Sequence, residues 1–385
     1  MNELQAIINA FEASKKNGET TFLATVVSTK GSTYRRPGAK MLITNAGQMV
    51  GMVSGGCLEN DIYQHTRYSM QSGAPIVITY DTTADEDIVW GFGLGCNGVV
   101  QVLLERLDPD NKFNPLRFIS QCFTQKQLVA IATIFGIEGE VNAKIGNRLM
   151  LNIDGKLSSN IEDINLNSAI MADAQTALQN QHYTVKKYQL SSGIVEAFID
   201  VIHPPTPLII FGAGRDAVPV VKFAKALGWH VTIVDCRASL ATRLRFPLAD
   251  QILLTRRETL RQQVSANEHT VVVIMTHNYL DDLEILKMLL PSPVPYIGAL
   301  GSKERTARLL RDLRKEEIFY TEDQENRLHA PVGIDIGSET PEEIAIAIIA
   351  EIQAVLANRV GGFLKHRQGS IHQPPSHQKL INASC

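Results

Sequence analysis

A glycine pattern that directly follows a strand-like run constrains this chain more than any other feature. The pattern is Gly212-x-Gly214-x-x-Ala217, which follows the apolar residues 208–211 and opens a helical pattern. Glycine lets the backbone turn tightly and approach a ligand or a neighbouring strand closely. A strand, a glycine loop and a helix in this order are the context of a dinucleotide-binding fingerprint, so the pattern predicts a Rossmann-like fold.

Strand-like and helical segments alternate through the rest of this half of the chain. After the glycine loop come a predicted helix near 215–227, strands at 230–235, 270–276 and 295–300, and a helix near 279–290 between the last two strands. Such alternation is typical of a parallel sheet covered by helices.

A proline cluster marks a domain boundary before the first of these strands. Pro204-Pro205-Thr206-Pro207 interrupts the chain there, and consecutive prolines stop both helices and strand pairing. A chain of 385 residues also exceeds what one core usually spans. The predicted divisions are an N-terminal domain, 1–203, a Rossmann-like domain, 204–360, and a polar tail, 361–385.

The N-terminal domain mixes helices and strands without regular alternation. Its patterns predict helices at 2–17, 58–72 and 166–181, and strands at 21–28, 40–43, 75–80, 98–105, 128–135 and 194–202. Residues 136–165 carry no clear pattern, and no internal repeat is apparent. The predicted fold class is therefore α/β, with an N-terminal α+β domain followed by a C-terminal Rossmann-like parallel-sheet domain.

Composition narrows the class of protein. The net charge of −3 provides no field that would gather nucleic acid or an anionic membrane. We see neither an apolar stretch long enough to span a bilayer nor a signal peptide, and we therefore expect a cytoplasmic protein. The 5 cysteines are sparse and odd in number, which favours free thiols in a reducing compartment.

Two of these cysteines lie in glycine-rich loops of the N-terminal domain. Cys57 follows Gly55 and Gly56, and Cys96 follows Gly95. Backbone N–H groups of such loops can stabilise a thiolate, and Cys57 also lies next to a predicted helix N-terminus. For each cysteine taken alone, a buried residue with an unreactive thiol is the alternative interpretation. A closed zinc site is not indicated, because neither thiol has a CxxC or histidine-rich neighbourhood.

A small cationic loop lies upstream of both cysteines. Arg35 and Arg36 stand between Gly31 and Gly38. Guanidinium groups bind phosphate in a bidentate way, so these arginines are candidate ligands of an anionic group. A solvated turn is the alternative interpretation.

Charged residues also follow the strands of the Rossmann-like domain. Asp235 ends the strand after the glycine loop, where an acid can bind a ribose hydroxyl, and Arg237 can instead bind a phosphate. A simple capped strand end is the alternative for Asp235. Gly301 and Ser302 follow the strand at 295–300 and could contribute backbone donors to an anionic group, or could form an ordinary turn.

A histidine lies at the same predicted sheet edge. His277 follows the strand at 270–276, and Asp281 or Asp282 is close enough in sequence to form a proton-transfer pair with it. A structural histidine at a strand end is the alternative.

Taken together, these motifs resemble the XdhC/CoxI family of accessory proteins for xanthine dehydrogenase and related molybdenum hydroxylases. The stretches that carry the resemblance are GSTYRRPGAKML (31–42), GMVSGGCLEND (51–61), GFGLGCNGVVQVLLE (91–105), PLIIFGAGRDA (207–217), VTIVDCRASLATRLRFPLAD (231–250), VVVIMTHNYLDDLEILKMLL (271–290), YIGALGSKERTARL (296–309) and LHAPVGIDIGSETPEEIAIAIIAEI (328–352). They span nearly the whole chain except residues 106–200 and the tail.

The resemblance implies a function that composition does not. Family members are similar to non-catalytic chaperones that bind the molybdenum–molybdopterin cofactor, keep it during sulfuration by a cysteine desulfurase, and deliver it to a xanthine dehydrogenase-type molybdenum hydroxylase. The cofactor phosphate suits Arg35, Arg36 and the glycine loops, and its metal suits the thiolate of Cys57 or Cys96.

A different class of function stays open. An NAD(P)-dependent oxidoreductase would hold the dinucleotide through Gly212, Gly214 and Asp235 and use His277 as acid or base. The Rossmann-like domain could equally hold another nucleotide or the pterin end of the cofactor. Asn278 stands where many relatives are expected to have an acid, which argues against a proton relay through that position. A homodimer is the default oligomer.

Overall fold

A computed structural model describes residues 3–81 and 98–368 of the chain. The chain divides into two compact units, Met1–Pro205 and Thr206–Cys385.

The first unit begins with two helices and five strands. They are α1 (Glu3–Lys16), β1 (Thr21–Gly31), β2 (Lys40–Thr44), β3 (Met49–Gly51), α2 (Glu59–Ser72), β4 (Ile76–Asp81) and β5 (Gly98–Leu107). The strands form one antiparallel sheet in the order β3-β2-β1-β5-β4.

The unit continues with a second set of the same elements. They are α3 (Pro115–Gln125), β6 (Val129–Gly139), β7 (Arg148–Asn152), β8 (Leu157–Ser159), α4 (Ile164–Asn180), β9 (Thr184–Leu190) and β10 (Gly193–Ile202). The second sheet is also antiparallel, in the order β8-β7-β6-β10-β9. The element order and the strand order of the first set are therefore repeated without change.

Details of the hydrogen bonding repeat as well. The N–H of Gly38 donates to the Val26 carbonyl, as that of Gly146 donates to the Ile134 carbonyl, both at 2.8 Å. A β-bulge interrupts β1 after Val26 and interrupts β6 after Ile134. The same sequence offset separates the members of each pair, so we call residues 3–107 the first repeat and residues 115–202 the second repeat.

The two sheets pack face to face, with a helix on each outer side. In β1, Leu23 and Val27 point toward the second sheet, whereas Phe22 and Ala24 point toward α2, because successive side chains of a strand face opposite ways. The second sheet packs against α4 in the same manner. Both central strands are consequently buried on two faces.

Two buried ion pairs join the repeats across this interface. Lys40 of the first repeat binds Asp200 of the second, and Arg148 of the second repeat binds Glu105 of the first. Lys40 lies opposite Thr25, and Arg148 lies opposite Thr133, at equivalent positions of the two sheets. The two pairs are therefore related by the repeat.

The second unit is built from alternating strands and helices. They are β11 (Pro207–Phe211), α5 (Ala217–Ala226), β12 (His230–Asp235), β13 (Gln251–Leu254), α6 (Leu260–Gln263), β14 (Val271–Ile274), α7 (Tyr279–Leu289), β15 (Tyr296–Ala299), α8 (Lys303–Lys315), α9 (Glu322–Glu325), β16 (Leu328–His329) and α10 (Pro341–Leu356), with 3₁₀ turns at Arg257–Thr259 and Leu364–His366.

All strands of this unit are parallel, in the order β13-β12-β11-β14-β15-β16. Helices α5 and α10 cover one face of the sheet, and helices α7 and α8 cover the other. The predicted fold class is confirmed for both halves: antiparallel sheets with helices come first, and a Rossmann-type parallel sheet follows.

The structure corrects two expectations from the sequence. The segment 136–165, for which no element was predicted, contains the end of β6 and both β7 and β8. The expectation that the chain has no internal repeat is wrong, because the two repeats of the first unit share their topology. In residues 3–81 and 98–368, no helix is long and apolar enough to cross a bilayer.

We expect Lys40→Met to destabilise the first unit by about 3–5 kcal/mol, because the Asp200 carboxylate then stays buried without its partner. The double variant Lys40→Met/Asp200→Leu should lie much closer to the wild type, since both buried charges are removed together. Hydrogen exchange of the β1 and β6 amides in the full-length protein measures both effects.

Lys15→Ala serves as the control for this experiment. It removes an exposed ion pair with Asp110, 4.0 Å long, and should change the free energy of unfolding by less than about 0.5 kcal/mol. Equal destabilisation by the single and double variants would show that the pair acts through packing and not through charge.

Candidate functional site

The first candidate site is the loop that carries Cys57, between β3 and α2. The helix begins at Glu59, so Cys57 lies just before its first turn, close to the predicted position. The Cys57 thiol is exposed. Gly56 has φ +108°, a left-handed conformation that favours glycine, and the place where a β-carbon would stand is open. The loop therefore presents the thiol to solvent on a tightly turned backbone.

A serine hydroxyl organises this loop from within. The Ser54 Oγ accepts hydrogen bonds from the backbone N–H groups of Gly56, Cys57 and Leu58, at 3.2, 3.1 and 3.1 Å. The same hydroxyl donates to the Glu59 carboxylate. The loop is thus wrapped around a single oxygen.

The Glu59 carboxylate holds the other side of the loop. It accepts from the backbone N–H groups of Val53, Ser54 and Leu58, at 3.1, 2.8 and 3.2 Å. Partial burial raises the pKa of Glu59, but the hydrogen bonds from the Ser54 hydroxyl and from the backbone outweigh burial and leave this pKa below its ordinary value. Glu59 is therefore an ionised acceptor at neutral pH.

The predicted arginine loop lies beside the Cys57 loop. The ring of Tyr34 packs on Gly55, 3.6 Å from the place where a β-carbon would stand. Arg35 binds Glu3 of α1 at 2.5 Å, so its guanidinium is already paired. Arg36 has no ion pair within the described residues. Of the two predicted arginines, Arg36 is the better candidate for an anionic ligand.

The second predicted cysteine loop cannot be placed in the same way. Gly95 and Cys96 lie outside the described residues. Gly98, where β5 begins, packs against the loop at 31–38: a β-carbon there would come within 2.6 Å of the Lys30 carbonyl and 2.7 Å of the Ser32 carbonyl. Within the described residues, no three metal-binding side chains cluster. Metal binding by Cys57 and Cys96 therefore stays a prediction.

The second candidate site is a cavity of about 120 Å³ at the carboxyl ends of β11, β12 and β14. Its apolar lining is formed by Phe211, Val234, Leu260 and Ile285. Gly212 borders the cavity with φ +116°, and a β-carbon at this position would come within 2.3 Å of the Met275 carbonyl. The glycine is thus required for the close approach of two strands, whatever the cavity binds.

Asp235 lies at the predicted place but is already engaged. Its carboxylate accepts from the Ala213 N–H at 2.6 Å and from the Arg237 side chain at 2.9 and 2.7 Å. Burial raises the pKa of Asp235, but the hydrogen bonds from Arg237 and the backbone outweigh burial and hold the pKa below its ordinary value. A ribose hydroxyl would have to compete with Arg237 for this carboxylate.

His277 has a different partner from the predicted one. Its Nε2 lies 2.7 Å from the Oδ2 of Asp216, which the sequence reasoning missed although Asp216 lies within the glycine motif. Gly214 leaves room for this contact, since a β-carbon would come within 2.3 Å of the Asp216 carboxylate. His277 itself has φ +58°, a strained conformation for a residue with a side chain.

The two acids predicted to serve His277 bind arginines instead. Asp281 pairs with Arg257 at 2.9 Å, across the rim of the cavity. Asp282 pairs with Arg305 at 2.7 Å and accepts from Thr276. The predicted pairing of His277 with either acid is therefore wrong in this structure.

The remaining predicted pair has a local structural role. The Ser302 hydroxyl accepts from the Arg305 N–H at 3.2 Å and caps α8. Gly301 precedes it with φ +150°. Neither residue lines the cavity, whereas Cys236, which was not predicted as a site residue, does and is exposed.

Family models match both halves of the chain. Residues 208–352 match the model described as the XdhC Rossmann domain, and residues 14–81 match that of the XdhC and CoxI family.

Known proteins resemble the chain over most of its length. A protein of Bacillus subtilis (strain 168), named as a probable xanthine dehydrogenase subunit, is 32% identical over 341 residues, covering 89% of this chain and 94% of that protein. The molybdenum cofactor insertion chaperone PaoD of Escherichia coli (strain K12) is 22% identical over 340 residues, covering 88% of this chain and 84% of that protein.

A solved structure shares the fold. A crystal structure described as a xanthine dehydrogenase from Bacillus halodurans has 29% sequence identity and a TM-score of 0.75, and the match covers 93% of this chain and 97% of that one.

We expect Asp235→Asn to destabilise the second unit by about 1–3 kcal/mol at pH 7, because charge-assisted hydrogen bonds from Arg237 are lost. Since the folded-state pKa of Asp235 is lowered, its contribution is present above its ordinary pKa and is lost as the pH falls through the folded-state value. The difference between variant and wild type should therefore stay constant from pH 7 down to about 5 and shrink as the pH falls below the ordinary pKa of an aspartate, about 3.9.

Urea unfolding followed by tryptophan fluorescence at several pH values measures this difference, since Trp229 is buried in the same unit. Glu268→Gln, which changes an exposed carboxylate, is the control and should show no such pH dependence. A difference that stays constant over the whole pH range would contradict the ion-pair explanation.

Proposed function

Because the chain belongs to the XdhC and CoxI family, we propose that it carries the molybdenum–molybdopterin cofactor and assists its insertion into a xanthine dehydrogenase-type molybdenum hydroxylase. The similarity to a molybdenum cofactor insertion chaperone supports the same role. In this proposal the cofactor is cargo and the protein is a chaperone, with no reaction of its own.

The observation that carries the proposal is the exposed thiol of Cys57 in a loop whose backbone is held by internal hydrogen bonds. A thiolate is a good ligand for a soft metal centre. We propose that Cys57 contacts the metal of the cargo while a cysteine desulfurase supplies sulfur to it. Cys96 has the same chemistry and remains the second candidate.

The phosphate end of the cargo requires a separate anchor. Arg36 lies in the loop that Tyr34 joins to the Cys57 loop, and it is not consumed by an ion pair within the described residues. We propose that Arg36 binds the cofactor phosphate, because a guanidinium can bind two phosphate oxygens at once. Arg35 would instead fix the loop to α1 through Glu3.

The cavity of the second unit favours a second ligand-binding role. Its place at the carboxyl ends of parallel strands is where open α/β sheets bind nucleotides. We propose that it binds a nucleotide or the pterin end of the cargo. An NAD(P)-dependent oxidoreductase is the alternative function, and it would require the bound ribose to displace Arg237 from Asp235.

We expect Cys57→Ser to weaken retention of molybdenum by about tenfold or more, the size of effect that altered metal surroundings usually have. Lys15→Ala is the control, because Lys15 is an exposed residue of the same unit that belongs to neither candidate site. The measurement is the molybdenum and pterin content of full-length protein purified without oxygen from cells supplied with molybdate.

Equal molybdenum content in wild type, Cys57→Ser and Lys15→Ala would remove Cys57 from the mechanism. A protein that contains no molybdenum, refuses added cofactor and binds NAD(P) saturably would replace the chaperone proposal with the oxidoreductase alternative.

A further inference from the structure

The two repeats of the first unit allow a comparison within one chain. Residues that the shared scaffold requires should occur in both repeats. Residues that a ligand site in one repeat requires should occur in that repeat alone. Tyr80 and Tyr188 illustrate the first class: they occupy equivalent positions, and each donates its hydroxyl hydrogen to an aspartate, Asp61 or Asp173, at 2.7 and 2.9 Å.

The apolar positions around the Cys57 loop belong to this shared class. Val53, Leu58 and Ile62 are buried in the first repeat. At the same offset that relates Tyr80 to Tyr188, the second repeat has Ile161, Leu166 and Ile170, which are also buried. The packing that seats the loop and the following helix is therefore common to both repeats.

The polar positions between them are not shared. At the offset of the repeat, Glu162 corresponds to Ser54, and Asn167 corresponds to Glu59. The glycines and the cysteine are replaced as well, by Asp163-Ile164-Asn165. Serine, glutamate and the glycine–cysteine loop are thus found together in the first repeat and are missing together from the second.

The need to cap the first turn of the helix does not explain why Ser54 and Glu59 are present in the first repeat. In the second repeat the Asp163 side chain accepts from the Leu166 N–H at 2.9 Å and caps α4, and Ser159 accepts from one N–H group, that of Ile161, and donates to Asn167. In the first repeat Ser54 and Glu59 each accept from three N–H groups, and they share that of Leu58. Together they bind five backbone N–H groups between Val53 and Leu58, which is more than a helix start requires.

We propose that Ser54 and Glu59 are positioning residues for Cys57, which fold the loop around the Ser54 hydroxyl so that the thiol is held toward the carried cofactor. The role of the thiol rests on the proposed function. An ionised carboxylate can only accept hydrogen bonds, so Glu59 draws the hydroxyl hydrogen of Ser54 toward itself. The lone pairs of the Ser54 oxygen then accept the backbone N–H groups of the loop.

Hydrogen exchange of the loop amides in the full-length, cofactor-free protein tests the positioning directly. We expect the exchange of the Gly56 and Cys57 amides to rise by roughly tenfold in Ser54→Ala, because their common acceptor is lost. Ser54→Thr keeps the hydroxyl and should restore slow exchange. Glu59→Gln keeps the side-chain shape and should produce an intermediate rise.

Asp163→Ala is the matched control in the second repeat. It removes the equivalent helix start, so exchange should rise at Leu166 and stay unchanged at Cys57. Wild-type exchange at Gly56 and Cys57 in both Ser54→Ala and Glu59→Gln would overturn the proposal.

Molybdenum retention in the same variants separates the proposal from the function on which it rests. Retention that falls in Ser54→Ala, recovers in Ser54→Thr and is unaffected in Asp163→Ala supports both. If loop exchange rises in Ser54→Ala while retention equals that of the wild type there and in Cys57→Ser, the positioning is supported and the role of the thiol in the proposed function is rejected.

Discussion

The face-to-face packing of two antiparallel sheets is the constraint on which the first unit depends. It buries β1 and β6 on both faces, and it largely shields the charges of Lys40, Glu105, Arg148 and Asp200 from solvent. Each charge is tolerated because its partner comes from the other repeat. The ion pairs consequently form only when the two sheets are in register, and a shifted arrangement would leave four buried charges unpaired.

This packing also explains which parts of the fold the sequence could predict. The alternation of strands and helices in the second unit and the turns of its glycine loop are encoded by residues adjacent in sequence. The fold predicted for this unit is confirmed for that reason. The repeat in the first unit was missed because its two copies share positions more than residues: Lys40 corresponds to Arg148, and Glu105 to Asp200. Only strand pairing reveals that these positions are equivalent.

The candidate sites show the same division between local and distant information. Gly56, Cys57 and the start of α2 follow from adjacent residues, and the structure has them near the predicted places. The partner of His277 could not be found in this way, because Asp216 precedes it by 61 residues. The acids close to His277 in sequence were the plausible partners, but the course of α7 turns them toward Arg257 and Arg305.

The candidate sites of the two units therefore differ in how many of their polar groups are already paired. Around the cavity of the second unit, the acids and bases already satisfy one another, as Asp235 does with Arg237 and Asp281 with Arg257. A polar ligand can bind there only by exchanging such partners, which favours one that presents charges or hydrogen bonds of its own. In the Cys57 loop, the internal bonds consume the backbone and the Ser54 hydroxyl but leave the thiol exposed. A metal-bearing ligand can reach that thiol without breaking any bond of the loop, and this difference supports the proposal that Cys57 contacts the metal of the cargo.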